Sequence, residues 1–269
     1  VYSLVISTIG CPFLFDSLAT LRYPPDDIIV VLDLVGRKSS TLDQDYPLPQ
    51  LERDLRERYP AVRLLYNNPS GPWAVMNQCY NIGWRNARHP YVWFTHDDIE
   101  YPDYDFPSAL RPVLEAIEAD RDILGKRIVG LVLPEHEILN EVNVPDYPVG
   151  TWGIAQCISP VSQVVSVEAM REMGGFDEVD GVWYDGQLQA ETHIRDWWYV
   201  LLPTPLIRHM SNRTYRVNNW GAHWKANPVW GNYTKNFEKR YGEPWRRSIV
   251  SLLPMQPIDD PRYGVALAP

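Results

Sequence analysis

Apolar runs and polar breaks alternate along the first hundred residues with a regular beat. Residues 1–9 are apolar and β-branched, residues 28–32 form an unbroken apolar run closed by Asp33, and residues 62–66 repeat the pattern. A fourth run, residues 91–95, stops abruptly at His96-Asp97-Asp98. Short apolar runs bounded by turn residues read as buried strands. Between them lie helical periodicities. Asp16 and Ser17 are candidate caps before Leu18 and Leu21, and Pro24-Pro25 ends that helix at Tyr23. Leu51 and Leu55 stand among charges up to Tyr59, and Val75, Cys79 and Ile82 share one helical face. Residues 36–49 read as a loop. Strand, helix, strand, helix, strand, helix, strand predicts an α/β fold with a mostly parallel sheet and right-handed crossovers.

Past the fourth strand the beat loosens. Leu110, Val113, Leu114 and Ile117 mark a helix, and residues 127–133 a further strand. Residues 134–154 are Pro-rich and irregular, the expected form of a loop beside a site. Residues 163–167 form a strand, followed by a short helix that Gly174-Gly175 stops; such a pair permits positive φ and close backbone approach to a ligand. After Trp183-Tyr184-Asp185 a helix runs to about Asp196, and residues 198–202 and 206–209 are short strands.

Composition narrows the picture. A chain of 269 residues, 45% of them hydrophobic, suits one large α/β domain or a domain with an appendage. It holds no apolar run of about 18 residues, the length a spanning helix needs. Cys11, Cys79 and Cys157 are scattered, which favours reduced thiols and a cytoplasmic setting. Neither a GxGxxG nor a GxxxxGK[ST] loop occurs, so a common dinucleotide enzyme or a P-loop NTPase is not expected. The net charge of −9 is uneven: from Leu206 onward ten Lys/Arg face four Asp/Glu, while the preceding residues are strongly acidic. That tail also carries Trp220, Trp224, Trp230, Tyr233, Phe237, Tyr241 and Trp245. Aromatic residues interleaved with cations can hold sugars, nucleic acid or a lipid surface, or can pack on the acidic body as core.

The candidate chemistry begins at His96-Asp97-Asp98. Adjacent carboxylates at the carboxyl end of a buried strand repel unless a cation or hydrogen-bond donors hold them. A divalent metal and a solvated turn both fit the tripeptide taken alone.

Taken together, the motifs resemble the inverting GT-A glycosyltransferases, specifically glycosyltransferase family 2. Val5-Ile-Ser-Thr-Ile9 looks like that family's first strand, and Ile29-Val-Val-Leu-Asp33 like its strand ending in paired Asp, with the second Asp kept. Gly71, Asn77 and Asn81 fall where spaced Gly and Asn residues precede the family's DXD strand. His96-Asp97-Asp98 stands at the DXD position, Gly174-Gly-Phe-Asp-Glu178 matches a GGFDE element, Tyr184-Asp185 matches its ED pair, and His209 stands where a metal-binding His follows. The similarity spans residues 1–212 and departs at two further places: His96 replaces Asp, and Tyr184 replaces Glu.

The resemblance implies a GT-A catalytic domain over residues 1–212, with a nucleotide-binding half (1–100), an acceptor half (101–212) and a C-terminal extension (213–269). It implies transfer from a nucleotide sugar, with a lean to uridine, by single displacement with inversion. Asp185 is then the catalytic base; Asp98, His209 and His96 are the ligands of Mn²⁺ or Mg²⁺; Thr8, Asp33, Asn68, Gly71, Asp97, Gly174 and Gly175 hold the donor; and Trp183 and Tyr184 meet the acceptor. The basic, aromatic tail points to an anionic acceptor, a lipid-linked glycan or a modified DNA, and to a cytoplasmic protein peripheral to the membrane. Two alternatives stay open. A nucleotidyltransferase would want a Gly-rich basic loop after the first strand, where residues 8–15 have one Gly and no Lys or Arg. A catalytically degenerate sugar- or nucleotide-binding module is the other, suggested by His96.

Overall fold

The protein is described here from a computed structural model covering residues 1–38, 42–68, 75–101, 103, 105–133, 153–156, 163–179, 184–201, 207–209, 233–242 and 256–257. Its elements are, in order, β1 (Tyr2–Thr8), α1 (Phe13–Thr20), β2 (Asp27–Asp33), α2 (Leu34–Lys38), α3 (Leu42–Asp45), α4 (Leu48–Arg58), β3 (Val62–Asn67), α5 (Val75–Arg85) and β4 (Tyr91–His96). Then come β5 (Ile99–Glu100), α6 (Phe106–Ala119), β6 (Asp122–Ile123), β7 (Lys126–Val132), β8 (Gly153–Ala155), β9 (Gln163–Ser166) and α7 (Val167–Met173). The chain continues through α8 (Tyr184–Ile194), β10 (Trp197–Leu201), β11 (Arg208–His209), α9 (Tyr233–Tyr241) and β12 (Gln256–Pro257).

The main sheet runs β12-β8-β10-β7-β9-β4-β1-β2-β3, with β6 hairpinned onto β7. Strands β3, β2, β1 and β4 are mutually parallel. The expected α/β class with a parallel core is therefore present. Beyond β4 the sheet is mixed: β9 lies antiparallel between β4 and β7, and β8 is antiparallel to β10. A short strand such as Gln163–Ser166 is wholly buried, but its sequence does not encode strand direction.

Side chains on successive strand residues leave opposite faces, and two cores result. Leu4, Ile6, Val30 and Leu32 pack with Leu14, Leu18, Leu51, Leu55, Leu110 and Val113 on one face. Val5, Ile29 and Val31 pack with Cys79, Tyr80, Met170, Tyr184 and Leu188 on the other. Trp93 anchors the first core, edge-on to Tyr2, Tyr101 and Phe106 at 5.9, 5.6 and 5.5 Å. Such pairs add about 0.5–1.5 kcal/mol each beyond the area they bury.

Two local expectations change. Helix α1 begins at Phe13, and Ser17, expected as a cap, is fully buried and donates to the Ile99 carbonyl at 2.6 Å. The stretch expected as a loop, residues 36–49, holds the end of α2, all of α3 and the start of α4. Residues 134–152, expected as a loop beside the site, lie outside the described residues, while Gly153–Ala155 is β8. Among the described residues no helix is long and apolar enough to cross a membrane.

Candidate functional site

Strand order reverses between β1 and β4: β2 and β3 continue on one side of β1, and β4 lies on the other. Open α/β sheets bind ligands outside the carboxyl ends of their strands at such a point. Thr8 ends β1, Asp33 ends β2, Asn67 and Asn68 close β3, and His96-Asp97-Asp98 closes β4. The sheet thus brings these expected site residues to one edge.

Thr8 and Asp97 meet there. The Thr8 hydroxyl donates to Asp97 Oδ2 and accepts from the Gly10 N–H at 2.8 Å, and Cys11 Sγ lies 3.3 Å from the same carboxylate oxygen. Thr8 and Asp97 are 4% and 6% exposed. The contact pins the loop after β1 to the turn after β4. Arg37 reinforces it: fully buried, it donates to the carbonyls of Ile9 (3.2 Å), Gly10 (3.1 Å) and Tyr46. Sequence reading missed Cys11 and Arg37, which show no spacing to any motif.

Asp33 Oδ1 accepts from the N–H groups of Val35 and Gly36, both at 2.9 Å. Burial nevertheless outweighs these bonds and raises its carboxyl to a pKa of about 6. Asn68 is exposed, with Lys38 Nζ 3.4 Å from its Oδ1. Gly71 and Trp183 lie outside the described residues.

Asp98 is buried, at 5% exposure, in the turn between β4 and β5. Strand β5 pairs antiparallel with β11, and the register sets His209 opposite Ile99. Residues far apart in sequence are thereby neighbours: His209 lies in the ladder and Asp98 immediately precedes its partner Ile99. For His209, as for Asp185, the structure describes the backbone and not the side chain. Helix α1 braces this turn: besides Ser17, Thr20 Oγ1 accepts from the Tyr101 N–H at 3.0 Å.

His96 directs Nδ1 toward Asp98 Oδ1 at 4.0 Å, and its Nε2 is 2.9 Å from the Tyr184 hydroxyl. Tyr184, expected on the acceptor side, is 3% exposed and packs among Tyr80, Phe176 and His96. Tyr184 and Asp185 open α8. The imidazole thus bridges the end of β4 and the start of that helix. Among the described residues no three His, Cys, Asp or Glu side chains form a metal-binding group. The side chains described at this turn, the Asp98 carboxylate and the His96 imidazole, are two groups of metal-ligating type.

Gly174 and Gly175 have φ of +81° and +84° and end α7 with bonds from their N–H groups to Arg171 and Met170. A Cβ on Gly175 would stand 2.6 Å from Asn81 Oδ1, so the close approach is to α5. Asn81 Oδ1 accepts from the Phe176 N–H (2.9 Å) and Trp84 Nε1 (2.8 Å), and its amide donates to the Phe176 carbonyl (2.8 Å) and Glu178 (2.6 Å). Asn77 donates to the Asp177 carbonyl at 2.6 Å. The spaced Asn residues are therefore the clasp of the glycine-rich segment. From α8, Gln187 completes it with bonds to the Asp177 N–H (2.7 Å) and the Gly175 carbonyl (3.1 Å).

The tail reaches the same assembly. Phe237 of α9 packs on Ala190, and a Cβ on Gly186 would meet its ring at 3.2 Å. Arg240 pairs with Asp177, and the Tyr241 hydroxyl donates to Glu191 at 3.0 Å.

Comparison with known proteins adds little to this geometry. No protein-family model matches the chain, and no curated protein matches it. Among solved structures, the crystal structure of S. aureus TarS 1-349 in complex with UDP-GlcNAc aligns at 12% identity with a TM-score of 0.48, covering 88% of this chain and 72% of that one. The crystal structure of S. aureus TarS 1-349 aligns with the same values. At that identity the likeness concerns the path of the backbone and says nothing of what this chain binds.

Proposed function

We propose that the chain is a cation-dependent glycosyltransferase of the GT-A type, moving a sugar from a nucleotide-sugar donor, UDP-linked by the resemblance, to a hydroxyl acceptor with inversion. The observation that carries this reading is the β5–β11 ladder, which seats His209 beside the Asp98 turn at the reversal point of the sheet. Residues 1–212 would form the catalytic unit, with the donor on the β1–β4 side.

Each residue has a task in this reading. The open edge beside Asp33 receives the base or ribose, with Asn68 and Lys38 at its rim. Asp98 and His209 would hold a divalent cation, with His96 behind Asp98. When bound, that cation supplies Lewis-acid neutralisation of the leaving diphosphate. Asp185, at the start of α8, takes the proton of the attacking hydroxyl from the face opposite the leaving group. Thr8, Asp97, Gly174 and Gly175 act one step back, by fixing the backbone that lines the donor site. The acceptor is proposed to be anionic, since Lys235 and Lys239 are exposed on α9 while Arg240 is spent on Asp177. Acceptor binding should then weaken steeply between 50 and 200 mM salt; equal binding at both would remove this part.

The test is Asp185→Asn. Transfer should fall at least about a hundredfold, the scale of a lost general base, while donor affinity measured by calorimetry stays near wild type. Loss of donor affinity would assign Asp185 a binding role instead. Retention of full transfer would end the proposal.

A further inference from the structure

His96 and Tyr184 are two of the positions at which the chain departs from the pattern it resembles, and they touch. They lie 88 residues apart, on β4 and α8, with imidazole Nε2 2.9 Å from the phenol oxygen. Neither ring is loose. Tyr80 stacks on His96 at 6.4 Å and 14° and stands edge-on to Tyr184 at 4.7 Å, while Phe176 meets Tyr184 edge-on at 5.8 Å. Tyr80 is itself fully buried, and its hydroxyl donates to the Thr95 carbonyl at 3.1 Å. The stack therefore fixes both members of the contact from below.

Either group can donate in this contact, depending on the imidazole tautomer, and the arrangement proposed below has the phenol donating. A neutral imidazole that accepts a phenol proton at Nε2 carries its own proton on Nδ1. Here Nδ1 is the nitrogen facing Asp98 Oδ1, at 4.0 Å. That distance is too long for a direct bond, yet in this tautomer an N–H dipole would point toward a buried carboxylate. Asp and Glu at these two places would set two carboxylates against each other, which repel unless a cation intervenes. An imidazole and a phenol make one neutral hydrogen bond across the same gap.

We propose that His96 and Tyr184 are a matched positioning pair. Their hydrogen bond ties the carboxylate turn after β4 to the first turn of α8, and so holds Asp98 and Asp185 in a fixed relation. The contact stands on the geometry alone; its role in transfer rests on the glycosyltransferase reading.

Tyr184→Phe removes only the hydroxyl and keeps the ring packed on Tyr80 and Phe176. It should lower kcat for transfer about tenfold to a hundredfold, the scale of a misplaced reacting group, with donor KM within about twofold. His96→Gln, whose amide can reach the hydroxyl, should keep more activity than His96→Leu. Combining Tyr184→Phe with His96→Leu should cost no more than the worse single change, as for two halves of one interaction. Long-range ¹⁵N–¹H NMR on histidine-labelled protein gives a readout that folding alone does not move. The His96 ring should sit as the Nδ1–H tautomer in wild type and become mixed in Tyr184→Phe, with its signal assigned by its loss in His96→Gln.

An unchanged tautomer in Tyr184→Phe overturns the pair. So does a kcat within twofold of wild type. A wild type that binds and transfers no sugar overturns the glycosyltransferase reading and the pair's role in it, and the NMR result still decides the contact.

Discussion

Asp33 holds two backbone N–H donors on one oxygen, and burial still wins. Its folded-state pKa of about 6 stands above the ordinary 3.8, so the native chain binds that proton more tightly than the unfolded one. The contribution to stability is complete below about pH 4 and is lost as pH rises through 6; the gap amounts to at most about 3 kcal/mol. Asp33→Asn keeps an oxygen for Val35 and Gly36 and discards the charge. It should raise the melting temperature at pH 7 and flatten the stability profile between pH 4 and 6, measured by denaturant melts at each pH. A slope that survives the substitution would place the titration elsewhere. In the proposed site a donor group of the nucleotide would need the ionised carboxylate, so nucleotide affinity in the wild type should decline below pH 6. Nothing in the sequence around Asp33 announces this: the apolar run predicts a buried strand, but how deep its closing residue sits depends on α2, which covers a stretch that reads as loop.

Helix α8 is held from three sides, by the sheet beneath Tyr184 and Leu188, by Gln187 on the glycine-rich segment, and by α9 above Gly186. The tail helix thus braces the helix that carries Asp185, whatever else the tail does. Phe237→Ala should cost about 3–5 kcal/mol, the range for truncating a buried aromatic side chain, and should slow transfer with little change in donor affinity. Lys239→Ala, exposed on the same helix, should stay within about 0.5 kcal/mol. Equal melts for both would mean that α9 does not brace α8. Strands β1 to β4 were legible because each is an apolar run of ordinary length between turn residues. Strands β5, β6 and β11 span two residues each, too few for any period. Likewise the spacing of Asn77 and Asn81 was legible as a pattern, but their partner segment lies 95 residues beyond Asn81, where no local rule reaches.

At the scale of the whole molecule, the parallel half of the sheet supplies the site edge and the mixed half supplies the helices that close on it. The succession of strands and helices along the first hundred residues follows from the hydrophobic pattern, whereas the reversal at β9 depends on its pairing with both β4 and β7, which no local pattern encodes. The candidate site divides in the same way. Asp33, Asp98, Asp185 and His209 could be named as candidates from the resemblance; that His96 leans on Tyr184, and that Thr8 spends its hydroxyl on Asp97, could not. The measurement that bears most directly on the proposed function is a thermal-shift panel of nucleotide sugars with and without Mn²⁺, run on wild type and Asp98→Ala. Native-state binding at a hundredfold excess over Kd stabilises by about 2.7 kcal/mol. One nucleotide family should raise the melting temperature, more so with Mn²⁺, and Asp98→Ala should abolish the Mn²⁺ increment. No shift with any donor, or an increment that Asp98→Ala leaves intact, would contradict a cation-dependent sugar transferase built on this turn.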